Sequence, residues 1–222
     1  REAFARRTEA FATAPQLRDA EAMARLLELS EVSSEDRVLD VACGAGVVIC
    51  EFAPHAARAI GLDFTVAMVE RARLLGAERE LQNVYWLAGD GRCLPFADDS
   101  FSIVVSRYAI HHVENPVAVT TELARVCQPG GRVILIDATA PVEPARAIAF
   151  NAMERRRDPS HVRALGLDEL RELLERQGVE LDFECHYRLD FPLAALVEDA
   201  TPDDGDRDGL RERIEAAAAD ES

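Results

Sequence analysis

The chain contains no lysine: all 25 of its basic residues are arginine. That excludes a lysine Schiff base or a catalytic lysine. Basic charge is also scarce against acid, 25 residues to 41, giving a formal net charge of -16. A nucleic-acid partner needs clustered cations for its phosphates. The one basic triplet, Arg155, Arg156 and Arg157, reads as a solvated helix end, so no nucleic-acid partner is expected. No apolar run approaches the roughly 18 to 20 residues that span a bilayer. No charged-then-apolar secretory segment opens the chain. No membrane span is therefore expected, and the expected location is cytoplasmic. The five cysteines (Cys43, Cys50, Cys93, Cys127 and Cys185) are odd in number and hold no C-x-x-C pair. They suggest neither a disulfide framework nor a zinc site, and no metal is expected.

What is present is an alternation of apolar strands and helices. The 222 residues, 48% hydrophobic, suffice for one α/β domain over 1–222. Residues 1–30 read as an N-terminal helical cap, divided at Pro15. Strands are expected over 37–42, 58–62 (ending at Asp63), 84–88, 101–106 and 132–136 (ending at Asp137). Helices are expected over 47–52, from a Thr65 cap to about Leu75, and over 115–127 with Pro116 in the first turn. Pro129-Gly130-Gly131 predicts a sharp turn. Several strands are apolar on both faces, as in a parallel sheet covered by helices on both sides. Right-handed crossovers then give a doubly wound, mostly parallel, Rossmann-like sheet. Beyond Ala138 the pattern predicts helices over 143–157 and 167–177, a sixth strand over 179–189, a short helix over 191–200, a loop over 201–209 and a last helix over 210–219.

The stretch 38–46, Val-Leu-Asp-Val-Ala-Cys-Gly-Ala-Gly, starts as a buried strand and breaks into a glycine turn. Such a turn lets a ligand approach the backbone closely, with helix N–H groups facing it. Asp40 near that turn repels a pyrophosphate but attracts an ammonium or sulfonium. Ligands of open parallel sheets sit beyond the carboxyl ends of the strands, at the switch point. This rule gathers Cys43 to Gly46, Asp63, Asp90-Gly91 and the residues after Ser106. Asp63 lies 17 residues beyond Gly46, where a carboxylate can accept from both ribose hydroxyls. Asp90 is placed to accept from an adenine amino group. The dinucleotide fingerprint G-x-G-x-x-G fails, because Ile49 stands at its third glycine.

With Gly-Leu-Asp63, Gly-Asp90-Gly-Arg-Cys-Leu-Pro-Phe, Phe-Ser-Ile-Val-Val-Ser106, Ala-Ile-His-His112 and Pro-Gly-Gly-Arg-Val, these elements follow in order. Together they resemble the class I S-adenosyl-L-methionine (SAM)-dependent methyltransferases, most of all the ubiquinone/menaquinone-biosynthesis-like branch of small-molecule enzymes. The resemblance covers about residues 37–137, the SAM-binding core, and leaves 138–222 as an acceptor-site segment with a helical lid. It implies SAM as cofactor, S-adenosyl-L-homocysteine as product and a small-molecule methyl acceptor. It implies that Gly44, Ala45 and Gly46 approach the methionine part, with Asp40 near its amino-acid end. Asp63 would hold the ribose, Phe64 and Met68 line the adenine, and Asp90 and Gly91 bind its edge. Ser106 would offer its backbone or hydroxyl near the reacting end.

His111 and His112 follow the fourth strand, and Asp137 ends the fifth. A histidine oriented by Asp137 is the candidate general base for a hydroxyl or acidic-carbon acceptor; structural bonding to the loop backbone is the alternative for either histidine. Phe4, Phe11, Tyr108, Phe150 and Met153 are candidates for the acceptor pocket, with the N-terminal helix as a lid. Two other functions fit the same motifs: a SAM-binding enzyme catalysing cyclisation or rearrangement, and a non-catalytic partner subunit. Two departures stand out. Ala45 occupies a place where the family often has a hydroxyl residue. No further strand follows 179–189, where the family sheet carries a seventh strand between its fifth and sixth. The edge so left open points to cover by a second chain, a homodimer.

Overall fold

The computed structural model describes residues 19–187, 193–198, 200, 202 and 205–219. The expected helix and lid over 1–18, with Phe4 and Phe11, lie outside the described residues. Five strands, β1 (Arg37–Val41), β2 (Arg58–Asp63), β3 (Val84–Ala88), β4 (Phe101–Arg107) and β5 (Cys127–Ile136), form a parallel sheet in the order β3-β2-β1-β4-β5. The winding reverses between β1 and β4, so their carboxyl ends flank the switch point. In register, Asp40 of β1 sits between Gly61 of β2 and Val105 of β4.

Strand residues alternate between two cores, which is why β1 and β4 read as apolar on both faces. Val38, Ala59, Ile103 and Val105 pack with Met23 and Leu26 of α1 (Ala20–Ser30) and Val48, Ile49 and Phe52 of α2 (Val47–Phe52). Leu39, Val41, Leu62 and Val104 face the other way. There they meet Val119, Leu123 and Val126 of α4 (Pro116–Val126) and Leu173 of α6 (Leu167–Glu175). Between these, α3 (Val66–Glu78) packs against β2 and β3. Later in the chain come α5 (Pro144–Arg157), α7 (Leu193–Glu198) and α8 (Arg207–Ala219). The triplet Arg155, Arg156 and Arg157 closes α5 as expected. Arg155 donates to the Val162 carbonyl, while Arg156 and Arg157 pair with Asp206 and Glu154.

The structure corrects four expectations. Thr65 makes no side-chain cap on α3; Asp63 takes the Thr65 N–H instead. The helix also runs on to Glu78. Pro129-Gly130-Gly131 is not a turn before the fifth strand but a bulge inside β5. Phe101 pairs with Cys127 and Ile103 with Arg132, so the extra residues must loop out. Gly130 takes φ 75°, and a Cβ on Gly131 would sit 2.7 Å from the Ser102 carbonyl oxygen. Finally, residues 179–187 form no strand. Their apolar–polar alternation has the right period, but a strand needs a hydrogen-bonded neighbour, and none of the described residues supplies one between them and β5. Side chains hold the segment instead: Glu184 accepts from Arg171, and Arg25 lies over Phe183.

Candidate functional site

The glycine turn is built around one indole. A Cβ on Gly46, which has φ 81°, would come 2.7 Å from Trp86 and 2.9 Å from Ala72. On Gly61 it would come 2.8 Å from the same ring, and on Gly76 3.0 Å. Trp86 of β3 therefore fills the floor beneath the turn, and the absent side chains let α2, β2 and α3 close on it. Gly44 differs: with φ 53°, a Cβ there meets nothing within 4 Å. Its bare backbone faces the open cleft. Two non-glycine residues at strand tips also adopt the left-handed region, Ala42 after β1 (φ 61°) and Tyr108 after β4 (φ 54°). Both line that cleft, and strained backbone of this kind clusters at functional sites.

The two acids near the turn differ in state. Asp40 is 1% exposed and its Oδ2 has no hydrogen-bond partner. Burial, reinforced by the Asp63 carboxylate, pushes its carboxyl up to about 8; Arg107 and the Ile49 N–H pull the other way without offsetting this. Asp63 accepts from the Gly44 N–H at 2.9 Å and the Thr65 N–H at 2.8 Å. Burial raises its carboxyl, and those two bonds oppose the rise. A carboxylate offers about four lone-pair sites, so Asp63 retains capacity for a ligand's hydroxyls. Asp63 thus ties the end of β2 to the turn, and Ala45 lies in the same wall, buried.

On the β3 side, Phe64 is 41% exposed while Met68 is buried, and both line the cleft. Asp90 is engaged by Arg92, whose Nε and Nη2 reach it at 3.0 and 2.7 Å. A Cβ on Gly91 would come 3.0 Å from Val41. The Ser106 hydroxyl is fully buried and donates to the Val41 carbonyl at 2.9 Å. It straps β4 to β1 and commits the hydroxyl's proton to that carbonyl. The loop 92–100 is clamped by α4. Glu122 accepts from the Leu94 N–H, and Arg125 donates to the Leu94 and Phe96 carbonyls and to Asp98.

At the tips of β4 and β5 the structure brings His111 and Asp137 together. One carboxylate oxygen meets His111 Nδ1, and the other accepts the His111 N–H at 3.1 Å. The Asp137 side chain is 2% exposed and that of His111 15%. The His112 ring lies beside that of His111, with centroids 4.0 Å apart and planes tilted by 45°, but its Nδ1 is bonded to the Ser160 carbonyl at 3.0 Å. Burial and the neighbouring His111 push His112 down to about 4, so it is neutral at pH 7. Tyr108, whose phenol pairs with that of Tyr187, lines the cleft with Phe150 and Met153.

His161, which carries no motif in the sequence, has its ring 5.4 Å from that of His111. Its partner Asn151 also went unnoticed. The only signal for either was position in the 138–222 acceptor-site segment, because a mid-helix asparagine and a lone histidine carry no motif. Among the described residues no group of three or more His, Cys, Asp or Glu side chains could hold a metal ion, and no helix is long and apolar enough to cross a membrane.

A family model described as a methyltransferase domain matches residues 39–135. The uncharacterized methyltransferase YcgJ of Bacillus subtilis is 37% identical over 166 residues, which is 75% of this chain and 66% of that protein. A demethylmenaquinone methyltransferase of Lactococcus lactis is 31% identical over 183 residues, covering 81% of this chain and 68% of that protein. The crystal structure of YcgJ matches with a TM-score of 0.77 at 32% identity, across 86% of this chain and 82% of that one. This chain spans between 54% and 66% of the length of the first curated relatives it matches.

Proposed function

Since this chain belongs to the methyltransferase-domain family of class I SAM-dependent enzymes, we propose that it moves a methyl group from SAM to a small molecule carrying an ionisable O–H or C–H. The residues present fit the cofactor. The open space beside the Cα of Gly44 leaves room for close approach, and Asp40 Oδ2 is buried without a partner. Asp63 retains lone pairs beside the turn for the ribose, with Ala45 and Gly46 flanking the methionine part. Phe64, Met68, Asp90 and Gly91 form the adenine side, where an adenine amino group competes with Arg92 for Asp90. When bound, SAM supplies an electrophilic methyl on a sulfonium that leaves as a neutral thioether.

The chain's own task is alignment and proton removal. The observation that carries this reading is Asp137, a buried carboxylate fixed on His111 Nδ1 in the same cleft as the glycine turn. That bond directs the basic lone pair to Nε2 and stabilises the imidazolium that forms. As the acceptor atom gains the methyl, its proton passes to His111 Nε2 and then to solvent, which reaches the partly exposed ring. An acceptor with no proton to lose makes no use of this pair. His112, neutral and bonded to Ser160, supports the loop rather than acting as the base. The experiment is incubation with methyl-labelled SAM and a panel of hydroxyl, carbon-acid and amine acceptors. Label should enter a protic acceptor, and His111→Ala should lower kcat by about 10²- to 10⁴-fold with SAM affinity unchanged. Full turnover by His111→Ala overturns the assignment of the base. We also propose that a second copy of the chain covers the edge of β5, which has no neighbouring strand among the described residues.

A further inference from the structure

Asn151 sits in the middle of α5, buried, with all its hydrogen-bonding groups in use. Its Nδ2 donates to the Ala147 carbonyl at 3.0 Å and the Ala164 carbonyl at 3.2 Å. Its Oδ1 accepts from the Ala164 N–H at 2.7 Å and meets His161 Nε2 at 2.9 Å. The same Ala164 N–H also lies 3.3 Å from His161 Nε2, but its shorter bond is the one to Oδ1. With both amide hydrogens committed elsewhere the oxygen faces His161, and two acceptors at 2.9 Å need a proton between them, so the imidazole carries its proton on Nε2. The leftover nitrogen is Nδ1, an acceptor, on a ring that is 6% exposed and lines the cleft. The loop bearing His161 also grips the base directly: the Val162 and Arg163 N–H groups donate to the His111 carbonyl at 2.9 and 3.0 Å.

Burying an asparagine and a histidine costs desolvation that two apolar side chains in the same space avoid. What the polar pair adds is a single tautomer at a fixed place beside His111. We propose that His161 binds the methyl acceptor through Nδ1 and that Asn151 is the positioning residue that fixes its tautomer. The acceptor then carries a second hydrogen-bond donor besides the group that reacts, and it is gripped by His161 while His111 takes the reacting proton. This rests on the methyl-transfer reading of the cleft. Burial and the adjacent His111 hold His161 below the ordinary imidazole range. Among its other charged neighbours, Glu154 and Asp158 favour its protonation and Arg155 opposes it. A neutral His161 is the form that offers a lone pair.

The test is nitrogen NMR of histidine-labelled full-length protein saturated with S-adenosyl-L-homocysteine, with phenol added as the hydroxyl probe. The wild type should show His161 as neutral Nε2–H at pH 7 to 8, and phenol should move its Nδ1 resonance. Asn151→Ala should release the tautomer, and His161→Phe should weaken phenol binding about tenfold, the loss of roughly one hydrogen bond. Calorimetry with S-adenosyl-L-homocysteine should give wild-type affinity for both variants, which separates this idea from the cofactor assignment. A His161 that is Nδ1–H or cationic at pH 7, or phenol binding untouched in His161→Phe, overturns the proposal. If Asn151→Ala fails to fold, the wild-type tautomer and His161→Phe still decide it.

Discussion

At Asp40 the folded chain stores a proton that cofactor binding should release. The carboxyl, ordinarily near 3.8, is pushed up to about 8 by burial and by Asp63, so it is protonated at pH 7. A cationic ligand group beside it favours the ionised form. SAM affinity should therefore rise as pH climbs from 6 to 8 and then level. Calorimetry at pH 7 in buffers of different ionisation heat should show proton release that Asp40→Asn abolishes; buffer-independent heats in the wild type contradict this. The linkage also runs through folding. The native state keeps the proton up to about pH 8 while the unfolded chain loses it near 3.8, so this group costs increasing stability as pH rises through that window. Asp40→Asn should accordingly raise Tm more at pH 8 than at pH 5. The residue itself was legible, because an acid inside an apolar strand stands out. Its protonation was not, since that follows from both neighbouring strands closing over it. Ser106 shows the same limit: its place at the tip of β4 was readable, but the Val41 carbonyl that takes its hydroxyl was not.

Among the elements, the meeting of α2, β2 and α3 on Trp86 sets the shape of the turn. Gly46→Ala adds a Cβ 2.7 Å from that ring at φ 81°. It should cost about 2 to 4 kcal/mol in denaturant unfolding, from overpacking and left-handed strain together. A change below 0.5 kcal/mol contradicts the packing account. The loop 92–100 gives a second case. Arg125→Gln removes the donors to Leu94, Phe96 and Asp98, and it should weaken SAM binding several-fold while leaving the rate with saturating SAM nearly unchanged. Equal affinity in calorimetry removes the loop from the account. The strands were legible because runs such as Phe-Ser-Ile-Val-Val need burial on both sides. The bulge in β5 was not, because its cause is the register to β4 rather than any local signal. The segment 179–187 misled for a related reason: alternation specifies a face, whereas pairing requires a neighbour.

For the whole molecule, the order of the sheet decides what meets what. Strand tips separated by tens of residues converge because β1 and β4 flank the reversal, bringing the glycine turn, Asp63, His111 and Asp137 to one cleft. This convergence was readable from the motifs and the switch-point rule. The His161–Asn151 pair was not, because it depends on how α5 and the loop after it fold back over the tip of β4. The edge of β5, which has no neighbouring strand among the described residues, bears on assembly. Light scattering should find a dimer, and charged substitutions along β5 should return it to a monomer; a wild-type monomer at 100 µM removes the proposed second copy. The claim beneath all of this is that the tips of β1 and β2 hold SAM with Asp63 on its ribose. Titration calorimetry of SAM into the wild type and Asp63→Ala tests it most directly. The account predicts saturable binding that the substitution weakens by about 1 to 3 kcal/mol; identical affinities in the two proteins would contradict it.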